Sequence, residues 1–307
     1  GKEMCLDYES LVQPELCAST VPAAQGATEH VEDFFFRTVH LGTECWAFCA
    51  LSRLRVARGE ALAGRWGDAA AHVRTVARVL EYLGNHVTML SSMCLSDYLP
   101  LKVEIDGTSG AGSVQVRELR GALSLMLDPL CEAAAGMCPG VGARGTKAPS
   151  PALPKKGSFR SSSKKLRVAI AQGGGPAQAQ RPAEAPGGSE GEAVFEAIVG
   201  VYGSPGEFPE LNAYAKALEV CEGALLGGFY HRHWALARGV IGSEARGTMN
   251  GAVAGLRAAC ETPVFPLLDR VRAHLGRDAD ARLSANKGKL LQRIAAQGPA
   301  PPPPPFP

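Results

Sequence analysis

The chain has 307 residues, of which 46% are hydrophobic and 20% are charged, a composition that fits one large globular domain or two ordinary ones. The net charge of +2 at pH 7 argues against a nucleic-acid partner, because binding to phosphates needs a clustered excess of Lys and Arg. The sequence has no run of about 20 apolar residues, so we expect no membrane-spanning helix.

Apolar residues recur at intervals of three and four along most of the chain, which is the pattern of amphipathic helices. The pattern runs through 30–55, 66–93, 110–137, 211–241, 251–259 and 264–275, and a more polar helix follows to residue 290. Pro129 is expected to kink or break the third stretch near its end. Strand-type alternation is nearly absent, so the sequence predicts an all-α fold, a single helical-bundle domain.

One segment interrupts this helical pattern. Residues 139–192 are rich in Gly, Pro, Ser and Ala, and they carry too little apolar surface to offset the entropy of ordering. We therefore predict a disordered insertion at 139–192 between two parts of one helical domain, 1–138 and 193–297, with a proline-rich tail at 298–307. The basic first half of the insertion is either a solvated linker or a tether for an anionic partner.

The nine cysteines are odd in number and form no CxxC pair. Most of them lie in apolar stretches that are predicted to be helical. This usage predicts reduced, buried thiols and a cytoplasmic location, and it argues against a disulfide framework or a zinc site.

The first helical stretch carries a possible catalytic group. Phe36, His40 and Glu44 are spaced by four, so they share one face of a helix. An imidazole on an apolar face can act on a ligand, or it can be a core residue whose hydrogen bonds Glu44 satisfies.

Two further stretches carry polar side chains at helical spacing. Tyr98 and Lys102 are again four apart, and this lysine can bind a carboxylate or extend into solvent. His231 and His233 are two apart, so on a helix only one of them faces a given pocket. A single neutral imidazole inside a helical bundle suits the axial ligand of a haem iron.

In this order, four blocks resemble the tryptophan 2,3-dioxygenase superfamily of haem-dependent aromatic oxygenases. Residues 36–46 resemble the pattern F-x-x-x-H-Q-x-x-E-x-W, and residues 93–117 follow M-x-x-x-D-[FY]-x-x-x-R…S-G-x-x-S-x-Q-x-R. Residues 233–243 resemble H-V-x-M-V-x-R-x-I-G-[SG], and residues 265–275 resemble F-P-x-L-x-x-x-R-x-x-L. The blocks touch most of the chain outside the insertion and the tails.

The resemblance implies a role for each matching residue. His233 would be the axial ligand of haem b iron, and His40 the catalytic residue beside the substrate ring. The substrate-binding residues would be Phe36, Tyr98, Lys102 and Thr248. The implied reaction inserts both atoms of O2 into the indole ring of L-tryptophan to give N-formylkynurenine. A homo-oligomer, tetramer or dimer, is implied as well.

Three departures from the family pattern leave other functions open. Lys102 stands where the family has an arginine, and Leu41 stands where it has a glutamine. The family's glycine-rich GTGG[ST] loop is replaced by residues 246–250, with Thr248 displaced by one position. One alternative is a haem-dependent mono-oxygenase that hydroxylates tryptophan, tyrosine or a derivative. The other is a non-catalytic helical protein that binds partners.

Overall fold

The computed structural model describes residues 31–104, 113–137, 189–243 and 253–296. Within these ranges the regular structure is helical and no strand occurs, which confirms the predicted all-α fold. The α-helices are α1 (Val31–Leu62), α2 (Trp66–Val87), α3 (Leu95–Glu104), α4 (Val114–Ser124), α5 (Leu127–Met137), α6 (Ser189–Gly203), α7 (Pro209–Gly223), α8 (His231–Ile241), α9 (Val253–Glu261) and α10 (Pro266–Ala296). A short 3-10 helix, Thr88–Ser92, follows α2, and a π-helical segment, Ala224–Tyr230, joins α7 to α8.

Helix α2 lies at the centre of the bundle. It packs against α1 on one side and against α7 and the π-helical segment on the other. Its apolar side chains follow the helical period, so Val73, Val76, Leu80 and Leu83 are all buried. Because α2 contacts both parts of the chain, it fixes the first part of the domain against the second.

The predicted helical stretches differ from the structure at two places. The third stretch is interrupted at Leu125 and Met126, ahead of Pro129 and not near its end. Pro129 lies in the first turn of α5, where its missing N–H has no helical acceptor to lose. The last stretch and the polar helix after it form one continuous helix of 31 residues, α10.

Buried polar groups hold the interrupted and terminal helices in place. The carbonyl of Met126, at the α4–α5 interruption, accepts the hydroxyl of the fully buried Tyr214 at 2.7 Å. The buried carboxylate of Glu222 accepts the backbone N–H groups of Val264 at 2.6 Å and Phe265 at 2.9 Å. A carboxylate at these N–H groups stabilises the start of α10, so α7 anchors that helix.

Two other expectations meet the structure in part. The prediction of buried thiols is wrong for Cys45, Cys49 and Cys94, which are exposed, whereas Cys221 is buried. Helix α6 begins at Ser189, so the last residues of the predicted insertion are helical. The rest of the insertion and the proline-rich tail lie outside the described residues. In the part of the chain that is described, no helix is long and apolar enough to cross a membrane.

Two glycines allow α2 to lie directly on the π-helical segment. A Cβ atom at Gly84 would lie 2.7 Å from the carbonyl oxygen of Gly228 and 2.9 Å from its carbonyl carbon. These are backbone atoms, which cannot swing aside as a side chain can. The segment leads directly into α8, so this contact also fixes where α8 begins.

Gly84→Ala is therefore expected to destabilise the protein by about 1–3 kcal/mol, since the helices must separate to admit the methyl group. The measurement is urea-induced unfolding followed by circular dichroism. The control is Gly59→Ala in α1, where no atom lies within 4 Å of the added methyl group. The control should be neutral or stabilising by up to about 1 kcal/mol. Equal effects of the two substitutions would contradict the close contact.

Candidate active site

His40 lies in α1 with its ring half-buried and anchored to its own helix. Its Nδ1 lies 2.8 Å from the carbonyl oxygen of Phe36. A carbonyl can only accept a hydrogen bond, so Nδ1 carries the proton, and Nε2 of the neutral ring keeps its lone pair. The Phe36 ring lies beside the imidazole, with 4.1 Å between the ring centroids. The i, i+4 spacing thus places an aromatic ring and a hydrogen-bond acceptor on one face of α1.

A small apolar cluster surrounds this face, separate from the main core. Its buried members are Val39, Leu90, Met93 and Leu101, and Phe35, Phe36, Tyr98 and Leu236 pack against them. The cluster brings together α1, the 3-10 helix, α3 and α8. Burial raises the pKa of the Tyr98 phenol, so this side chain stays protonated at neutral pH. The result is an apolar wall that carries a phenol and an imidazole.

His233 lies in α8, one turn before Leu236, and Leu236 packs against the cluster. Its ring is stacked near Phe229, with 6.4 Å between centroids and 17° between planes. Among the described residues, no hydrogen bond is made to this imidazole. Burial lowers the pKa of His233, and the neighbouring charge of His40 lowers it further. Helix α8 reaches the same cluster through Leu236, so His233 and His40 lie on two helices that meet there, although α1 and α8 are far apart in the chain.

The pKa of His40 is lowered as well, chiefly by burial. The Phe36 carbonyl and the Glu44 carboxylate act in the opposite direction, and His86 adds to the lowering. Both histidines therefore favour the neutral form. A neutral imidazole is the form that accepts a proton or binds a metal through its lone pair.

His231 lies on a different side of α8 from His233. It is exposed, and its ring lies 5.3 Å from that of Trp234. These two residues, together with Arg257 of α9, line a separate cavity of about 390 Å³. This cavity is not part of the cluster around His40, so the prediction that the two histidines face different surroundings is confirmed.

The structure thus brings three of the predicted site residues together, Phe36, His40 and Tyr98, and places His233 one turn before Leu236, which packs against their cluster. The backbone of Lys102 lies in α3, one turn after Tyr98. The side chain of Lys102 and the whole of Thr248 lie outside the described residues. The apolar walls Leu90, Leu101 and Leu236 were missed by the sequence analysis, although Leu236 stands at helical spacing from His233.

The donor set fits a haem iron. The described ranges contain no group of three or more His, Cys, Asp or Glu side chains that could hold a bare metal ion. A haem iron needs one neutral imidazole from the protein and an apolar surround. His233 would supply that imidazole, since no described residue engages it in a hydrogen bond. The cluster that Leu236 joins would supply the apolar surround.

Comparison with known proteins finds a distant similarity to two tryptophan 2,3-dioxygenases. No family model matches the sequence. Over 244 residues the chain is 25% identical to the tryptophan 2,3-dioxygenase of Pseudomonas aeruginosa strain PAO1. It is 25% identical over the same length to the tryptophan 2,3-dioxygenase of strain UCBPP-PA14. Each alignment covers 79% of this chain and 82% of the relative, so the similarity is distant but extends over most of both proteins.

The lowered pKa values of His40 and His233 predict a pH-dependent stability. Both lie below the ordinary value of 6.5, so just below that pH the unfolded chain binds more protons than the folded one. Their contribution is complete above 6.5 and is lost as the pH falls through the lower, folded values. Urea unfolding of the haem-free protein from about pH 7.5 to about pH 5.5 measures this loss.

The double variant His40→Gln, His233→Gln should lose less stability than the wild type over that interval, because neither site then titrates. His231→Gln, which removes an exposed histidine from α8, controls for the loss of one imidazole. Parallel curves for the wild type and the double variant would show that the two rings are not buried as described.

Proposed function

We propose that the protein is a haem-dependent dioxygenase that converts L-tryptophan to N-formylkynurenine. The observation that carries the proposal is an apolar cluster where α1, beside His40, meets α8, the helix of His233: Phe36 packs on both the cluster and the His40 ring, and Leu236 of α8 joins the cluster. The distant similarity to tryptophan 2,3-dioxygenases over most of the chain supports the same chemistry.

His233 would hold the haem iron through its neutral imidazole. Burial favours the unprotonated lone pair that an axial ligand needs. Phe229 stacks near the ring, and Leu236 packs one turn further along the same side of α8. When bound, haem supplies the activation of dioxygen, and the protein supplies binding and orientation.

His40 would hold the substrate ring. Its Nδ1–H is already donated to the Phe36 carbonyl, so Nε2 is available to accept the indole N–H or to hold its proton. Phe36 and Tyr98 would confine the flat ring from two sides. Holding the indole in this way would keep the reacting groups in the orientation that the reaction needs. Such positioning supplies a large part of the rate acceleration by enzymes.

Lys102 would bind the carboxylate of the substrate and Thr248 would contact its amino-acid end, as the family resemblance implies. A lysine offers a single point charge, whereas an arginine offers a planar fork that matches both carboxylate oxygens. Carboxylate recognition would therefore be less directional here. This substitution is the observation that favours the second candidate, a haem-dependent mono-oxygenase of tryptophan, tyrosine or a derivative.

Haem binding is tested by the Soret band of the reconstituted full-length protein. We expect the wild type to show the spectrum of a histidine-ligated haem and His233→Ala to lose it. His231→Ala is the matched control, since it removes an exposed histidine two residues away and should keep the wild-type spectrum. Absence of a Soret band in the wild type would favour a non-catalytic helical protein instead.

The reaction is tested by turnover of L-tryptophan with the reduced, haem-loaded protein under 18O2. A dioxygenase gives N-formylkynurenine that carries two 18O atoms, whereas a mono-oxygenase, with excess ascorbate supplying the two electrons that reduce the second oxygen atom to water, gives a hydroxylated product that carries one. His40→Ala should lower kcat/KM by at least about a hundredfold, the usual loss on removing a group that holds or moves a proton. Hydroxylation of tyrosine with no turnover of tryptophan would replace the first candidate by the second.

A further inference from the structure

A side chain of α2 holds the turn of α1 that carries His40. His86, in the last turn of α2, donates its Nε2–H to the carbonyl oxygen of Val39 at 2.9 Å. Val39 directly precedes His40, and 47 residues separate it from His86 in the chain. The same carbonyl accepts the hydroxyl of Thr43 at 2.9 Å. A hydrogen bond between helices therefore reaches α1 one residue from the proposed catalytic imidazole.

The sequence leaves room for this contact through a glycine. A Cβ atom at Gly42 would lie 2.7 Å from Nε2 of His86 and 3.1 Å from its Cε1. An alanine at position 42 would favour the helix by its intrinsic propensity. It would also push the imidazole away from the Val39 carbonyl. The glycine therefore matters for the position of His86 more than for the helix itself.

One aromatic ring lies against the His86 imidazole, and a second ring lies behind the first. Tyr82, one turn earlier in α2, stacks on it with 5.6 Å between centroids and 18° between planes. Trp46 of α1 lies 5.1 Å from Tyr82. The ring of His86 thus has a fixed direction as well as a hydrogen-bond partner, which is what an orienting group requires.

The neighbours of His86 in α2 hold the opposite side of the proposed site. Gly84 lies against the backbone of Gly228. Asn85 accepts a hydrogen bond from Arg232, the residue before His233. Three consecutive residues of α2 therefore contact both chain segments that lead to the two imidazoles.

From these contacts we infer that His86 is a positioning residue. Its hydrogen bond to Val39 sets where His40 stands relative to His233 and so relative to the bound substrate ring. This inference rests on the proposed function, because it is the substrate of that reaction that His40 would hold.

The test compares two substitutions that separate the hydrogen bond from the ring. His86→Phe keeps an aromatic ring on Tyr82 but has no N–H to donate. His86→Gln loses the ring but keeps an amide N–H at similar reach. We expect His86→Phe to lower kcat/KM for L-tryptophan by about ten- to hundredfold, with haem binding unchanged, and His86→Gln to restore most of the loss.

The second readout needs neither haem nor turnover. Hydrogen exchange of the backbone amides at residues 39–44 in the haem-free chain should be about tenfold faster in His86→Phe than in the wild type. His72→Phe is the matched control: His72 also lies in α2 and contacts α1, through Arg53 at 3.2 Å, but it stands four turns before His86. It should leave both exchange at 39–44 and kcat/KM unchanged.

Gly42→Ala tests the same contact from the side of α1. It should lower kcat/KM as His86→Phe does, with little net change in the free energy of unfolding, since the helix propensity of alanine offsets the lost hydrogen bond. A merely structural role for His86 would instead make loss of activity follow loss of stability.

The outcomes separate the two proposals. If exchange at 39–44 quickens in His86→Phe but the wild type does not convert tryptophan, the proposed function fails and the hydrogen bond still positions the turn. If the wild type converts tryptophan and His86→Phe matches it in kcat/KM and in exchange, the positioning role is wrong. The same holds if His72→Phe causes an equal loss.

Discussion

The last turn of α2 is the part of the molecule on which the proposed site depends most. Because Gly84 has no side chain, the backbone of the π-helical segment packs directly on it. Asn85 accepts a hydrogen bond from Arg232, the residue before His233. His86 reaches the carbonyl of Val39, beside His40. Because one rigid turn makes all three contacts, a shift of either flanking segment has to disturb it. The contacts of α2 therefore set the position of the two imidazoles relative to each other, more than the segments that carry them do.

Burial links this packing to chemistry. The side chains of Val39, Leu90, Met93 and Leu101 are apolar, and their burial of His40 outweighs the Phe36 carbonyl and the Glu44 carboxylate, which favour its charged form. Burial therefore lowers the pKa of both His40 and His233 and keeps their lone pairs available. One lone pair suits a metal and the other suits the N–H of a substrate ring. The same apolar surface would suit the flat aromatic substrate that we propose.

Helical periodicity was enough to predict the all-α fold, since apolar residues mark one face of each helix. It could not locate the interruption at Leu125 and Met126, because both are apolar and continue the pattern. There the chain is held by a long-range hydrogen bond from Tyr214, which has no local signature. In the site, local spacing predicted that Phe36 shares a face with His40. The pairing of His40 with His233 came from family resemblance, because periodicity says nothing about distant segments. The role of His86 was missed because its ring reaches the Val39 carbonyl through the space that Gly42 leaves, and sequence spacing does not reveal such a contact between helices.

The most direct test of this account is an experimental structure of the full chain loaded with haem and L-tryptophan. The account predicts that His233 holds the iron and that Nε2 of His40 accepts the indole N–H. It also predicts that His86 keeps its hydrogen bond to the Val39 carbonyl. Iron bound by any other residue, or an indole ring held away from His40, would contradict it.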